Sequence, residues 1–414
     1  MILEFLSQKF PNVQETTLAG WHRWILSNLG EKGLIDLVKN LADMPGENAF
    51  IPSLHVFKNR QRNTGPQLNS DDYVDRVQGM VVGMAVGDSL GYRDEFHEPE
   101  EIINHYGLLG VTNPQVINRR GEYLYTDDTQ MALALAEGLL NRSDESSYDT
   151  VVRAFVDWMR SPDNNRAPGF ACMSGCSNLE SGIEWHKAAI PDSKGAGSVM
   201  RVFPVGALYR DNINALVVVS ADQSVMTHAH PTGIIASIIT AYATALILKD
   251  TPPDATLIDA CIARNQEFPN NFEMERALTS LKECIDRNLD AYKASELLGS
   301  GWVGEEAFAI GMWAFLQSPE DYPAVIWRSV NFPGRNGSCD RDTVGAIAGA
   351  FAGAYNGLGG ILPHWQEHIE NRQKLLEMGE QLAKHAEEFC QRTVDLTQSR
   401  GLELLARPYF GWQK

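Results

Sequence analysis

Nearly every apolar segment of this chain repeats its hydrophobic residues at helical spacing, which leaves little from which a sheet could be built. TQMALALAEGLL (129–140), VVRAFVDWM (151–159), INALVVVSADQSV (213–225), IIASIITAYATALIL (234–248), EEAFAIGMWAFL (305–316) and TVGAIAGAFAGAY (343–355) are rich in Ala, Leu, Met and Gly. Such residues suit closely packed helices. VVVS (217–220) is the one defensible strand candidate, and its helical surroundings argue against it. The expectation is an all-α, multi-helix domain, orthogonal or bundle-like, with loops carrying the chemistry.

Three stretches are distinguishable. Residues 1–70 read as a small helical extension, with Trp21, Ile25, Leu29, Leu34, Leu37 and Leu41 at roughly helical spacing, followed by an aperiodic linker, NRQRNTGPQLNSDD (59–72). Residues 71–390 form the main body, and 391–414 an unremarkable tail. Near the end of the body, HWQEHIENRQKLLEMGEQLAKHAEEFCQR (364–392) reads as one long polar-rich helix. SIITAYATALIL (237–248) is too short to span a bilayer, and VGAIAGAFAGAYNGLGGIL (344–362) is interrupted by Asn356 and glycine. Both are expected as helices buried in protein, with no membrane partner.

Acidic residues outnumber basic ones 53 to 35, giving a formal charge of −18 that repels phosphate backbones and anionic lipid, so nucleic acid is not an expected partner. Of the six cysteines only Cys172 and Cys176 lie close together, and C-x3-C without a second pair supports reduced thiols better than a zinc site. The opening MILEFLSQKF lacks the basic and long apolar parts of a secretory signal, so a cytoplasmic location is expected.

Two acidic motifs each open an apolar helix pattern: Tyr125-Thr126-Asp127-Asp128-Thr129 and Cys339-Asp340-Arg341-Asp342-Thr343. One such motif is explained by capping, because a side-chain oxygen accepts the free N–H groups of a first turn. Two motifs, each with two carboxylates and a hydroxyl, exceed that need. Crowded carboxylates repel one another and resist desolvation unless cations are present. Oxygen donors without neighbouring His or Cys favour Mg²⁺ or Mn²⁺, and two Asp pairs suffice for two ions. Upstream, MVVGMAVGDSLGYRDEFHEPEE (80–101) places Gly83, Gly87 and Gly91 on one helix face, with Asp88 at its polar break. Glu95 follows among other acids, where composition alone reads it as a solvated loop carboxylate. The small-residue loop Ser193-Lys194-Gly195-Ala196-Gly197-Ser198 precedes VMRVFPVGALY and can present N–H groups to a phosphate, although it is not a Walker motif. His228 and His230, two residues apart, would diverge on a helix, so a shared metal is not expected.

Taken in order, GMAVGDSLGYRDEF, YTDDTQMALALAEGL, NRAPGFACMSG, SKGAGSVMRVFPVGALY, MTHAHP, GSGWVGEEAFAIGMWAF and CDRDTVGAIAGAFAGAYNGLGG resemble the ADP-ribosylglycohydrolase family over about residues 73–385. The resemblance implies an all-α fold, a centre of two divalent cations (Mg²⁺ or Mn²⁺), and hydrolysis at the anomeric carbon of an ADP-ribose. It implies metal ligands at Thr126, Asp127 and Asp128 on one side and at Asp340, Asp342 and Thr343 on the other. Glu95 falls where the family places its catalytic or metal-gating glutamate, which reverses the reading from composition. Ser193, Gly195, Gly197 and Ser198 fall on the loop around the diphosphate and ribose, and His228 on the substrate side. Arg201 is expected as a structural anchor, and Asp88 as a helix cap or a support for the ligands. The chain departs from the pattern at Cys339 and Arg341, where the family has small residues; Arg341 is left without a site role, reaching a phosphate or pointing to solvent. The implied partner is an ADP-ribosylated protein, modified on arginine, with another ADP-ribosyl conjugate as the alternative. From a different class, the chain is readable as an immunity protein that neutralises an ADP-ribosylating toxin through its N-terminal extension.

Overall fold

A computed structural model describes residues 1–42, 70–141 and 147–407. Among them the regular structure is helical, and strand-like pairing is confined to isolated bridges. Most of the expected linker at 59–72 lies outside the described residues. The extension contributes α1 (Ile2–Lys9) and α2 (Leu18–Ala42). The body follows with α3 (Ser70–Gly91), α4 (Pro99–Tyr106), α5 (Asp127–Leu140), α6 (Ser147–Arg160), α7 (Phe170–Glu180), α8 (Trp185–Ala188), α9 (Phe203–Leu208) and α10 (Ile213–Val225). Next come α11 (Pro231–Leu248), α12 (Ala255–Asn265), α13 (Phe272–Asp286), α14 (Ala291–Leu298), α15 (Gly304–Gln317) and α16 (Tyr322–Val330). The chain closes with α17 (Arg341–Asn356), α18 (Pro363–His368), α19 (Arg372–Cys390) and α20 (Arg400–Leu405). VVVS lies inside α10, as its surroundings argue.

The pairing of α3 with α17 organises the body. Gly79, Gly83 and Gly87 on one helix meet Gly353, Gly349 and Gly345 on the other in antiparallel order, with backbone against backbone. A Cβ at Gly83 would stand 2.5 Å from the Gly349 carbonyl oxygen, and one at Gly87 would overlap the Gly345 carbonyl. Glycine at every fourth position keeps the contact on one face of each helix. Because the helices run antiparallel, the C-terminal end of α3, carrying Asp88, is brought beside the N-terminal end of α17, carrying Asp340 and Asp342.

Four expectations are corrected. In the extension Leu29 is 43% exposed, whereas Trp21, Ile25, Leu34, Leu37 and Leu41 are buried. The reason is Gly30, whose φ of +69° breaks α2 and resets the phase of its apolar face. The apolar run at 237–248 belongs to a helix that begins at Pro231, so α11 has 18 residues and is the one described helix long and apolar enough to cross a membrane. Its span is 89% buried inside the protein, which accounts for its composition without a bilayer. The long helix expected over 364–392 is two, α18 and α19. Between them Asn371 adopts a left-handed conformation, while Glu370 turns inward to pair with Arg166. The tail is also not featureless: buried Asp222 on α10 accepts hydrogen bonds from Ser399 Oγ (2.8 Å) and Gly401 N (2.9 Å), docking α20 on the body.

The extension is packed rather than free. Its apolar residues join Ile103, Leu108, Leu109 and Trp327 in a cluster of their own, and Glu31 pairs with Arg328 at 2.6 Å.

Candidate active site

Both acidic motifs stand at helix N-termini, where the free N–H groups and the helix dipole favour negative charge. Thr126 is the N-cap of α5, its hydroxyl accepting from Asp128 N at 3.3 Å. Asp340 precedes α17, and its own N–H donates to the Ser300 carbonyl at 3.0 Å. All six proposed ligands are buried: Thr126, Asp127, Asp128, Asp340, Asp342 and Thr343 are at most 7% exposed. Glu95, just past a 3-10 turn that ends α3, is half-buried, and its carboxylate lies with those of Asp340 and Asp342 such that one oxygen from each is within 4.8 Å of the others. Thr343 N donates to Asp342 Oδ1 at 3.0 Å.

Asp88 resolves its two open readings in favour of support. It is fully buried and accepts from Thr126 N (2.9 Å), Thr129 N (3.1 Å) and Thr129 Oγ1 (2.6 Å), so it clamps the first turn of α5 from α3. Gly169 N donates to Asp127 Oδ2 at 3.1 Å. Outside the cluster, Arg166 donates to Glu370 and to the Tyr125 carbonyl, while Glu370 accepts from Tyr125 N, which fixes the strand-like approach to Thr126.

The electrostatics follow from this crowding. Burial raises Asp127 to about 7, with further push from Asp88 and Asp340, and raises Asp340 to about 6. Asp128 and Asp342 are also raised well above the usual carboxylate range, by burial first and neighbouring carboxylates next. Glu95 is pushed up to about 8 by burial and by Asp340, Asp127 and Asp88. The charges acting most strongly on these groups are one another's. In addition, Asp128 Oδ1 is buried without a hydrogen-bond partner. A buried oxygen without a donor, within a crowded set of buried oxygen ligands, is what hard divalent cations complete.

The proposed substrate loop is brought to the rim of this cluster. Ala196 N donates to the Trp302 carbonyl (3.3 Å) and Gly304 N to the Lys194 carbonyl (2.8 Å), so the loop is bridged to the segment whose Ser300 holds Asp340. Gly195 and Gly197 lie against the His228 ring: a Cβ at Gly197 would stand 2.6 Å from His228 Cε1. Burial and the Arg201 charge push His228 down to about 3, so the ring is neutral, and Thr227 Oγ1 holds its Nδ1 at 2.8 Å. His230 instead caps α11, accepting from Thr232 N. Ser193 lies at the loop's entrance, its N–H donating to the Ile190 carbonyl. Ser198 is set apart, fully buried with its hydroxyl donating to the Gly233 carbonyl at 3.3 Å. The loop runs into a 3-10 turn, and α9 begins at Phe203.

Arg201 is the expected anchor, fully buried and donating to Gln223 and Thr227. Arg341 takes neither of its two expected courses: it is fully buried and donates to the carbonyls of Val330, Phe332 and His97. It thereby ties the loop after Glu95 to the start of α17. Cys172 and Cys176 stand one turn apart on α7, buried and unbridged.

The sequence pattern of the ADP-ribosylglycohydrolase family matches residues 69–392. The chain belongs to that family. Among its relatives, the ADP-ribosylarginine hydrolase Tri1 of Pseudomonas putida is 25% identical over 351 residues, covering 83% of this chain and 86% of that one. Human ADP-ribosylhydrolase ARH3 is 24% identical, covering 71% of this chain and 89% of its own. A solved structure described as an ADP-ribosylglycohydrolase-related protein complex superposes with a TM-score of 0.54 at 22% identity, over 76% of this chain and 99% of that one, and shares the fold. Family membership carries the general activity, hydrolytic removal of ADP-ribose. Arg166, Glu370 and Ser300 escaped the sequence reading because each acts through the backbone of a distant segment.

Proposed function

We propose that this chain releases ADP-ribose from arginine side chains of modified proteins, using two divalent cations, Mg²⁺ or Mn²⁺. The observation that carries the reading is the burial of two Asp pairs from separate helix N-termini in one place, each carboxylate raised by that burial. Thr126, Asp127, Asp128, Asp340, Asp342 and Thr343 would hold the ions. Cations bound there would neutralise the cluster, engage ribose hydroxyls and acidify a water. Glu95, whose carboxylate is brought to those of Asp340 and Asp342, serves as the group that moves a proton between the water and the leaving nitrogen. The carboxylates around the anomeric carbon favour positive charge as the glycosidic bond breaks. Neutral His228, pressed against Gly195 and Gly197, shapes the loop that receives the diphosphate. Arginine as the acceptor is supported by the similarity to the ADP-ribosylarginine hydrolases Tri1 of Pseudomonas putida and Serratia proteamaculans.

The test is product release from matched arginine-linked and serine-linked ADP-ribosyl proteins, with Mg²⁺, with Mn²⁺ and after chelation. Free ADP-ribose from the arginine substrate, lost on chelation and in Asp340→Ala plus Asp342→Ala, is the expected result. Release of AMP would show pyrophosphate cleavage, and preference for the serine substrate would overturn the assignment of the acceptor.

A further inference from the structure

The loop that carries Ser193, Gly195, Gly197 and Ser198 also carries a lysine, the residue type most readily assigned to a phosphate. Its ammonium is engaged elsewhere. Gly195 is extended (φ −53°, ψ 160°) and pairs antiparallel with Val303, so that successive side chains leave opposite faces of the segment. Gly195 and Gly197 meet the His228 ring. Lys194 Nζ instead reaches Glu305 Oε1 at 2.5 Å and Glu273 Oε2 at 3.0 Å, in the first turns of α15 and α13. Thr232 Oγ1, in the first turn of α11, donates to the same Glu273 oxygen at 2.7 Å. One side chain thereby joins the loop to the starts of three helices.

The surroundings make this lysine an anchor and not a spare cation. Glu305 is only 3% exposed. Burial works against the ammonium, yet Glu305 and Glu273 together hold it above the usual lysine range. Two carboxylates on one ammonium leave the group net negative, so it offers no attraction to a diphosphate. Withdrawing the lysine toward a phosphate would strand Glu305 without its cation, and an uncompensated buried charge is costly. The backbone repeats the attachment: His230 N donates to the Ser193 carbonyl at 3.2 Å, and Gly304 N to the Lys194 carbonyl at 2.8 Å. Gly233 admits the loop this closely, since a Cβ there would stand 3.3 Å from Lys194 Cα.

We propose that Lys194 is a positioning residue: through Glu273 and Glu305 it fixes the loop that receives the ADP-ribose diphosphate, and it makes no contact with the phosphates itself. This rests on the reading of that loop as the diphosphate site. Recognition of the diphosphate then falls to the loop's backbone N–H groups, which its glycines allow to approach closely.

The test uses the full chain, with ADP-ribose binding measured by calorimetry in Mg²⁺ and hydrogen exchange of residues 193–198 followed without ligand. Lys194→Met should weaken ADP-ribose about tenfold and speed exchange of the loop. In hydrolysis it should raise KM more than it lowers kcat, whereas a general loss of folded protein would lower kcat alone. Lys194→Arg keeps a cation between the two carboxylates and should retain binding within about threefold. Glu305→Gln separates an anchor from a phosphate ligand. It loosens an anchor and should weaken ADP-ribose several-fold, whereas a lysine touching phosphate would be freed by it and bind more tightly. Lys194→Met plus Glu305→Gln should be no weaker than Lys194→Met alone, because both break one strap. Should Lys194→Met fail to fold, Glu305→Gln and Lys194→Arg decide between the two roles. Tighter binding by Glu305→Gln, or loop exchange unchanged in Lys194→Met, would overturn the proposal. Absence of ADP-ribose binding by the unmodified chain would overturn the reading of the active site instead, and loop exchange would still decide the anchor.

Discussion

At the residue scale, the carboxylates set the pH behaviour of the protein. Asp88, Asp127, Asp340 and Glu95 are raised to about 6, 7, 6 and 8, above the values near 4 of an unfolded chain. In the absence of metal the folded state therefore binds more protons between about pH 4 and pH 8. The stability these groups contribute is present below pH 4 and lost as pH rises through their folded values. Metal competes with those protons, so the rise in Tm on adding Mn²⁺ should be small at pH 5 and large at pH 8. An equal shift at both values would mean that the ions bind elsewhere. Glu95→Gln keeps shape and removes the proton carrier; kcat should fall about 10²–10⁴-fold while the Mn²⁺ thermal shift persists. A loss of the thermal shift as well would make Glu95 a ligand first. The Asp pairs were legible from sequence because two short motifs repeated one chemistry. Arg341 was not, because its partners are carbonyls on other segments, and such acceptors leave no mark on residue type.

At the element scale, the site depends on one helix pair. Every fourth glycine in α3 was visible as a packing face, but the matching glycines of α17 and the antiparallel register needed the fold. Register is what sets Asp88 near Asp342, since sliding one helix by a turn would move its acids about 5 Å along the axis. A Cβ at residue 87 would overlap the Gly345 carbonyl, which is backbone and has nowhere to move cheaply. Gly87→Ala should therefore cost about 1–3 kcal/mol of stability in chemical denaturation and lower metal affinity along with it. Gly121→Ala is not a fair control, because φ there is +80°. Gly359, with open space at its Cβ, is one: alanine there should be nearly silent. Helix breaks were the least legible elements. The division between α18 and α19 arises from Glu370 turning to Arg166, 204 positions away in the chain, and α2 bends at a glycine that periodicity alone reads through.

At the scale of the whole molecule, the all-α architecture was legible because its apolar segments share one period, and the family pattern follows the same body. The place of the extension was not. Its apolar face covers Leu108, Leu109 and Trp327, which belong to the body. Removing residues 1–42 exposes that surface, and the truncated chain should melt several degrees lower and associate at concentrations where the full chain is monodisperse in light scattering. Unchanged melting and dispersity would show the extension to be dispensable for the body.

The central claim is that the two Asp motifs jointly hold two divalent cations. Anomalous diffraction from a crystal grown with Mn²⁺ tests it most directly. Two peaks are expected between Asp127–Asp128 and Asp340–Asp342, with Thr126 and Thr343 within ligand distance. A map without peaks there at saturating Mn²⁺, or with peaks only elsewhere on the acidic surface, would contradict the account.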